Sequence, residues 1–218
     1  MEIIRKRTFF FIIFLIAIYL CNSAVFAAEL KPIKLSEPQL GSGKSLMVAL
    51  NDRKSVRSFS EKELPLDVVS NLLWAAFGIN RPGEGKHTAP SAGNRQEIDI
   101  YVAMKGGLYL YDAQKQTLVP VLAEDIREFT GKQDFTQRAP LNLIYVANFA
   151  KMGGEEADKV FYSATDTGFI SQNVYLFCAS ENLATVVLGM VNKPALAKIM
   201  KLGKDQHIIL TQPVGYPE

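Results

Sequence analysis

Apolar residues at helical spacing predict four helices in this chain. Residues 45–51 predict a short first helix, and Lys193-Pro194 opens a last helix that runs to Met200. Pro65 suits the first turn of an amphipathic core helix that ends at Gly78. The apolar face of this core helix is formed by Leu66, Val69, Leu72, Leu73 and Ala76.

The longest predicted helix spans residues 156–181 and carries few charges after Asp166. A helix that is hydrophobic on most sides must be buried on most sides. The pattern therefore predicts either a central core helix or a helix that packs against a second subunit. Gln172 and Asn173 within it would then bond neighbouring helices or contact a ligand.

Alternating or continuous apolar runs predict the strands. A strand over residues 98–104 is followed by a turn at Gly106-Gly107 and by an antiparallel return over residues 108–111. Further strands are predicted over residues 117–121, 141–149, 183–190 and 207–213. Residues 28–44 form a polar leader without periodicity, so the folded domain is expected to occupy residues 45–218.

The first 27 residues have the pattern of a signal peptide. Three basic residues precede an apolar run over residues 9–20, and Ala27 supplies the small residue that signal peptidases recognise. An uncleaved membrane anchor is the alternative, because residues 9–28 are about long enough to span a bilayer. Sec export is favoured over twin-arginine export, since Lys6-Arg7 lacks the first arginine. The expected location is periplasmic or secreted.

Cleavage after Ala27 changes the charge balance. It removes three of the 24 basic residues and one of the 22 acidic residues, which leaves 21 of each. A domain without net charge has no electric field that would attract nucleic acid or hold the protein stably at an anionic membrane. Cys178 would be the only remaining cysteine, in an apolar setting typical of a buried thiol. His87 and His207 have no ligand-spaced partner, so no metal site is expected.

Candidate binding chemistry is concentrated in residues 52–59, where three cations and two hydroxyls are followed by an aromatic residue. If the backbone is extended here, the side chains of Arg53, Ser55 and Arg57 point the same way. Arginine forks bind phosphate oxygens or a polarised carbonyl bidentately. The alternative interpretation of this segment alone is a solvated basic face.

A second polar segment, residues 89–96, has the composition of a loop. Small residues such as Ala92 and Gly93 let a backbone approach a ligand closely, and Ser91, Asn94 and Gln96 supply neutral donors and acceptors. These groups suit a polyol chain or the edge of a ring.

Together the two segments resemble the nitroreductase family of flavoproteins. Residues 53–59 are similar to the family's Arg-x-Ser-x-Arg/Lys-x-Phe motif, and residues 90–96 to its Pro-Ser-x-x-Asn-x-Gln loop. A third match is the apolar run that ends at Gly189. The resemblance implies an α+β fold, with a central, mostly antiparallel sheet flanked by helices, in an intertwined homodimer that binds FMN.

The resemblance also implies roles for these residues. Arg53 and Ser55 would bond the FMN phosphate, with Lys54 adding charge, and Arg57 would lie near N1 and the C2 carbonyl. The polar loop of the other subunit would close over the ribityl chain and the dimethylbenzene side of the flavin. The loop residues concerned are Pro90, Ser91, Ala92 and Asn94. The backbone of Val187, Leu188 and Gly189 would run beneath the ring, facing N5. Relatives often carry a further basic residue after Gly-Tyr-Pro, where this sequence ends with Glu218.

The implied activity is ping-pong hydride transfer through flavin N5 to nitro, quinone or related acceptors, with small-molecule electron donors and acceptors as partners. No catalytic side chain is expected, since the flavin carries the chemistry. The segment Gly-Leu-Tyr-x-Tyr-Asp at residues 107–112 resembles the SagB-type, ThcOx-like subgroup, which includes azoline-oxidising dehydrogenases. A dehydrogenase acting on a specific metabolite or modified peptide, and a non-catalytic flavin-binding protein, remain the alternatives.

Overall fold

The structure is a computed structural model that describes residues 29–218. The signal peptide predicted for residues 1–27 lies outside the described residues. Within them no helix is long and apolar enough to cross a membrane.

Seven strands of the described chain form one antiparallel sheet, and two more form a separate hairpin. In chain order the strands are β1 (Ile33–Lys34), β2 (Ile79–Arg81), β3 (Lys86–His87), β4 (Ile98–Met104), β5 (Gly107–Asp112), β6 (Thr117–Leu122), β7 (Leu141–Asn148), β8 (Ala184–Thr185) and β9 (Gln206–Gly215). The sheet order is β1-β6-β5-β4-β7-β9-β8, and β2 pairs with β3. The predicted β4–β5 hairpin is confirmed, with Val102 opposite Tyr109.

Within residues 29–218, five α-helices and three short 3-10 turns connect these strands. The helices are α1 (Leu46–Asp52), α2 (Leu66–Phe77), α3 (Phe135–Arg138), α4 (Glu156–Ser180) and α5 (Lys193–Ile199). The 3-10 turns are Ala92–Asn94, Arg127–Thr130 and Phe149–Lys151. The predicted bounds of the first, second, longest and last helices agree with these to within a residue or two.

The sheet is covered on both faces, as the alternation along β4 requires. Ile100 and Val102 point into the core formed with α2 and α4, whereas Tyr101 and Ala103 point into the core formed with α5. The predicted α+β class, with an antiparallel sheet flanked by helices, is therefore confirmed.

The fold begins earlier in the chain than the sequence predicted. Ile33 pairs with Leu118 on β6, and Leu35 is buried, with its N–H donating to the Gln116 carbonyl at 2.9 Å. Residues 33–35 of the expected leader thus add an edge strand and a core side chain.

The predicted strand over residues 183–190 is much shorter in the structure. Only Ala184–Thr185 forms a ladder with β9, and pairing resumes as a single bridge between Leu188 and Thr211. The shared register places Val186 opposite Pro213, which has no N–H to donate. The proline therefore interrupts the ladder, although Val186 and Leu188 are still buried.

Helix α4 is not buried on most sides within one chain. Its inward side carries Ile170, Val174 and Cys178, which are fully or almost fully buried. Its outward side exposes Val160, Phe161, Tyr162 and Phe169, and Phe161 is 64% exposed. The sequence left open either a central core helix or a helix that packs against a second subunit. Within a single chain, α4 is not a central core helix.

Candidate functional site

Arg53 and Ser55 both reach one residue of α4, Tyr175. The guanidinium carbon of Arg53 lies 5.4 Å from the centre of the Tyr175 ring, and Ser55 Oγ lies 2.9 Å from the tyrosine hydroxyl. Arg53 follows α1 directly, because its N–H makes the last bond of that helix, to Ala49. Of the three side chains predicted to point the same way, Arg53 and Ser55 thus contact a common residue. Arg57, two residues further on, is exposed.

The same tyrosine hydroxyl also contacts the segment that precedes Gly189. The backbone N–H of Val187 donates to Tyr175 Oη at 2.9 Å. This N–H is available because the neighbouring Leu188 exchanges both of its backbone bonds with Thr211, so the Val187 N–H points away from β9. The chain around Arg53 is anchored to the same segment by a bond from the Val56 N–H to the Thr185 carbonyl at 3.0 Å. Two of the three predicted binding segments therefore meet at Tyr175.

Leu188 and Gly189 differ in accessibility. Leu188 is buried and exchanges two backbone hydrogen bonds with Thr211. Gly189 is exposed, and a Cβ built there would meet only a Leu210 methyl at 3.8 Å, an ordinary contact. Packing within the chain does not require glycine at this position. The exposed backbone is therefore suited to close approach by a ligand.

A cavity of about 680 Å³ lies beside residues 53–57 and is bordered by Lys54, Val56 and Tyr175. Lys44 on its wall forms an ion pair with Asp52 at 2.8 Å. The hydrogen bond from Lys44 holds the pKa of Asp52 below its usual range. Lys54 is exposed, which places its ammonium where it adds positive charge to the region.

The loop of residues 90–96 is held in a turn by its own side chains. Gly93, Asn94 and Gln96 adopt left-handed backbone conformations. The Gln96 N–H donates to Ser91 Oγ at 3.0 Å, and its side-chain amide donates to Asn94 Oδ1 at 3.2 Å. Pro90 and Asn94 are exposed, so the loop presents the polar Asn94 side chain to its surroundings.

The loop is anchored to α4 by a pair of buried carboxyl groups. Asp166 is 2% exposed and accepts the Ala92 N–H at 2.8 Å. Glu97 is fully buried beside Asp166, and neither of its oxygens has a hydrogen-bond partner in the described residues. Burial, reinforced by the neighbouring Asp166 carboxyl, raises the pKa of Glu97 to about 7. One proton between the two groups would supply the missing donor.

The loop and the Arg53 segment lie apart in one chain. Asp166, which holds the loop, and Tyr175, which holds the Arg53 segment, are separated by nine residues of α4, or about 13 Å of helix. No hydrogen bond in the described residues joins the two segments. A ligand that touches both through one subunit would have to bridge this gap.

The remaining candidates have structural explanations. Asn173 donates from its amide to the Ala76 carbonyl at 3.4 Å, which links α4 to α2, and Gln172 is exposed. Cys178 is 1% exposed, and burial raises its pKa. No cluster of metal-ligating side chains occurs among residues 29–218.

Three site residues were missed at the sequence level: Tyr175, Glu97 and Asp166. A tyrosine in the apolar half of the 156–181 helix was the available signal for Tyr175, because a buried phenol normally finds a polar partner. Glu97 and Asp166 are 69 residues apart, and nothing local marks them as partners.

The comparison with known families agrees with the residue pattern. A family model described as "Nitroreductase family" matches residues 50–216. The chain belongs to the nitroreductase family. Its members are oxidoreductases, and flavin dependence is general among them.

Individual relatives of this nitroreductase-family chain include a Methanocaldococcus jannaschii protein with a provisional nitroreductase name. It is 32% identical over 174 residues, which cover 75% of this chain and 86% of the relative. A crystal structure from Ralstonia eutropha, also provisionally named a nitroreductase, is 42% identical with a TM-score of 0.84. That match covers 88% of this chain and 91% of the other.

The fold also recurs in a protein assembly. A chain of the Escherichia coli microcin synthetase complex, solved with a truncated microcin precursor bound, superposes with a TM-score of 0.66 at 20% identity. The match covers 90% of this chain and 82% of that chain, and it shows a common fold.

Proposed function

We propose that this chain is an FMN-dependent oxidoreductase that reduces nitro compounds, quinones or related acceptors in a ping-pong cycle. The observation that carries the proposal is the meeting of two predicted FMN-binding segments at Tyr175. Ser55 Oγ and the Val187 N–H both lie 2.9 Å from its hydroxyl, and the Arg53 guanidinium lies over its ring.

The residues present suit FMN. A phosphate needs charge-assisted donors, which Arg53 and Lys54 supply together with the Ser55 hydroxyl. A flat ring needs backbone that it can approach closely, which the exposed Gly189 supplies. When bound, FMN supplies hydride acceptance and donation at N5.

The protein would then contribute binding, orientation and electrostatics. Arg53 and Ser55 would hold the phosphate, and the backbone of residues 187–189 would support the ring. Arg57 would place a fixed positive charge near N1 and the C2 carbonyl, where reduction adds negative charge. No nucleophile is required, which agrees with the burial and raised pKa of Cys178.

A homodimer is part of this proposal. α1 exposes Leu46 and Met47, the latter 73% exposed, and α4 exposes Phe161 at 64%. A second copy that covers these faces would remove a large apolar surface from water. The same partner would bring its loop of residues 90–94 to the Arg53 segment, which the loop of the same chain does not contact.

The compartment follows from the predicted signal peptide. A Sec-exported chain folds outside the cytoplasm, where nicotinamide donors are scarce. We therefore propose a membrane quinol or a protein partner as the electron donor. Cell fractionation tests this, since an intact, uncleaved chain in the cytoplasm would restore an ordinary nicotinamide-dependent reductase.

The dehydrogenase alternative rests on the resemblance of residues 107–112 to the SagB-type subgroup. In the structure those residues form the β5 strand of the hairpin, and Tyr109 and Tyr111 are buried. Their burial explains the pattern through packing, so we favour the broad reductase. A neighbouring cyclodehydratase gene would favour the alternative.

The proposal is tested on purified residues 28–218, first as the native protein and then after denaturation. We expect a yellow protein that releases FMN, identified by chromatography and mass. In the native protein, reduction should bleach the bound flavin, and a nitro compound or quinone should then restore its colour. A protein that neither carries nor takes up FMN would contradict the proposal. A flavin that binds but never exchanges electrons would indicate a non-catalytic binding protein.

A further inference from the structure

The Tyr175 hydroxyl stands between two groups that the proposed function assigns to one bound FMN. It lies 2.9 Å from the Val187 backbone nitrogen and 2.9 Å from Ser55 Oγ. Tyr175 itself is half-buried on α4, and Ser55 is exposed. The hydroxyl thus connects an interior N–H to a serine at the surface of the candidate site.

The direction of these hydrogen bonds follows from the protons available. A phenol has one proton and two lone pairs, and the Val187 N–H occupies one lone pair. The phenol can then donate its proton to Ser55, or it can accept the proton of Ser55 on its second lone pair. In the first arrangement the Ser55 proton is available to a ligand. In the second arrangement Ser55 presents only lone pairs.

An anion beside Arg53 selects the first arrangement, because lone pairs on Ser55 would repel it. The sequence of donors then runs from the Val187 N–H to the Tyr175 O–H, on to the Ser55 O–H, and finally to the anion. Successive hydrogen bonds of this kind polarise one another. The Arg53 guanidinium over the tyrosine ring adds positive charge at the same place.

We propose that Tyr175 is a positioning residue for the flavin phosphate, which orients the Ser55 hydroxyl so that it donates to a phosphate oxygen. This inference rests on the proposed function, and it adds a basis for selecting FMN over riboflavin. Because the donor sequence begins at Val187, it also links the phosphate subsite to the backbone beneath the ring.

The test is a double-mutant cycle on the flavin-free protein, with FMN and riboflavin titrated separately. Tyr175→Phe removes the hydroxyl and keeps the ring under Arg53. We expect it to weaken FMN binding about five- to tenfold and riboflavin binding less than about twofold. In a Ser55→Ala background, Tyr175→Phe should change FMN affinity by less than about twofold, because Tyr175 acts through Ser55.

Tyr111→Phe is the matched control, since it removes another tyrosine hydroxyl, one that bonds Gln116 at 2.5 Å away from the site. It should leave the ratio of FMN to riboflavin affinity unchanged. Circular dichroism establishes that each variant is folded. If Tyr175→Phe does not fold, 3-fluorotyrosine at position 175 replaces it. Its hydroxyl is a stronger donor, so the affinity ratio should rise.

Equal weakening of FMN and riboflavin by Tyr175→Phe would overturn the inference and indicate a purely structural role. A full effect of Tyr175→Phe in the Ser55→Ala background would also overturn it, as would an unchanged or lower ratio with 3-fluorotyrosine. A wild-type protein that binds neither flavin would instead contradict the proposed function, and this inference with it.

Discussion

The Ala92 N–H donates to Asp166 Oδ2 at 2.8 Å and ties the polar loop to the middle of α4. Asp166 is in turn a neighbour of Glu97, and both carboxyl groups are buried. Two buried carboxylates would repel each other, whereas one shared proton provides a hydrogen bond. The loop anchor is therefore sensitive to pH.

The first prediction concerns this pH dependence. Glu97 has a pKa of about 7 in the folded chain, above its ordinary value of 4.5. The folded state therefore favours the protonated form, and its stability falls as pH rises through 7. From pH 5.5 to pH 8, we expect the wild type to lose about 1–2 kcal/mol of unfolding free energy relative to Glu97→Gln. Urea unfolding at fixed protein concentration measures this difference.

Glu97→Gln is the appropriate reference because its neutral amide can donate to Asp166 at every pH. Parallel pH profiles for the two proteins between pH 5.5 and 8 would show that Glu97 does not hold the proton.

The second prediction concerns the exposed apolar side of α4. Phe161→Glu would place a charge in the proposed interface, and we expect it to raise the dimer dissociation constant at least about tenfold. Sedimentation equilibrium measures the change. Val121→Glu is the control, since Val121 is an exposed apolar residue on β6, away from this face. A wild type that is monomeric with flavin bound would contradict the two-subunit site.

The third prediction concerns Arg57. If its guanidinium lies near N1, Arg57→Gln removes a charge-assisted bond to the reduced flavin, worth about 1.5–3 kcal/mol. The two-electron midpoint potential should then fall by about 30–60 mV. Arg81→Gln, on the exposed β2–β3 hairpin, should leave it unchanged. An unaltered potential in Arg57→Gln would remove Arg57 from the ring site.

The fourth prediction concerns Cys178, whose thiol is 1% exposed and whose pKa is raised by burial. Thiolate is the reactive form, so a thiol reagent at pH 8 should label the native protein very slowly and the urea-unfolded protein at once. Rapid labelling of the native protein would show that this part of α4 opens.

The spacing of apolar residues predicted much of the fold, because apolar residues recur at a constant interval along α2 and along β4. It could not predict β1, since Ile33–Lys34 is too short to show alternation and is fixed by pairing with β6. The strand predicted over residues 183–190 was too long for a similar reason. Its interruption depends on Pro213, which becomes its neighbour only in the folded sheet.

The candidate site likewise contains residues that the local sequence predicted and residues that it did not. Arg53 and Ser55 were predicted by their spacing and by family resemblance, and in the structure both contact Tyr175. Tyr175 joins them from 120 residues away, and Glu97 meets Asp166 across 69 residues. Such contacts are products of topology. They carry no spacing that a single sequence reveals.

The most direct test of the central claim is FMN titration of the flavin-free wild type and Arg53→Ala, with Arg81→Ala as the matched surface control. If Arg53 binds the phosphate, its loss should weaken FMN binding by about one to two orders of magnitude, from a contribution of about 1.5–3 kcal/mol. Arg81→Ala should bind as the wild type does. Full flavin occupancy of Arg53→Ala at micromolar concentration would contradict the assignment.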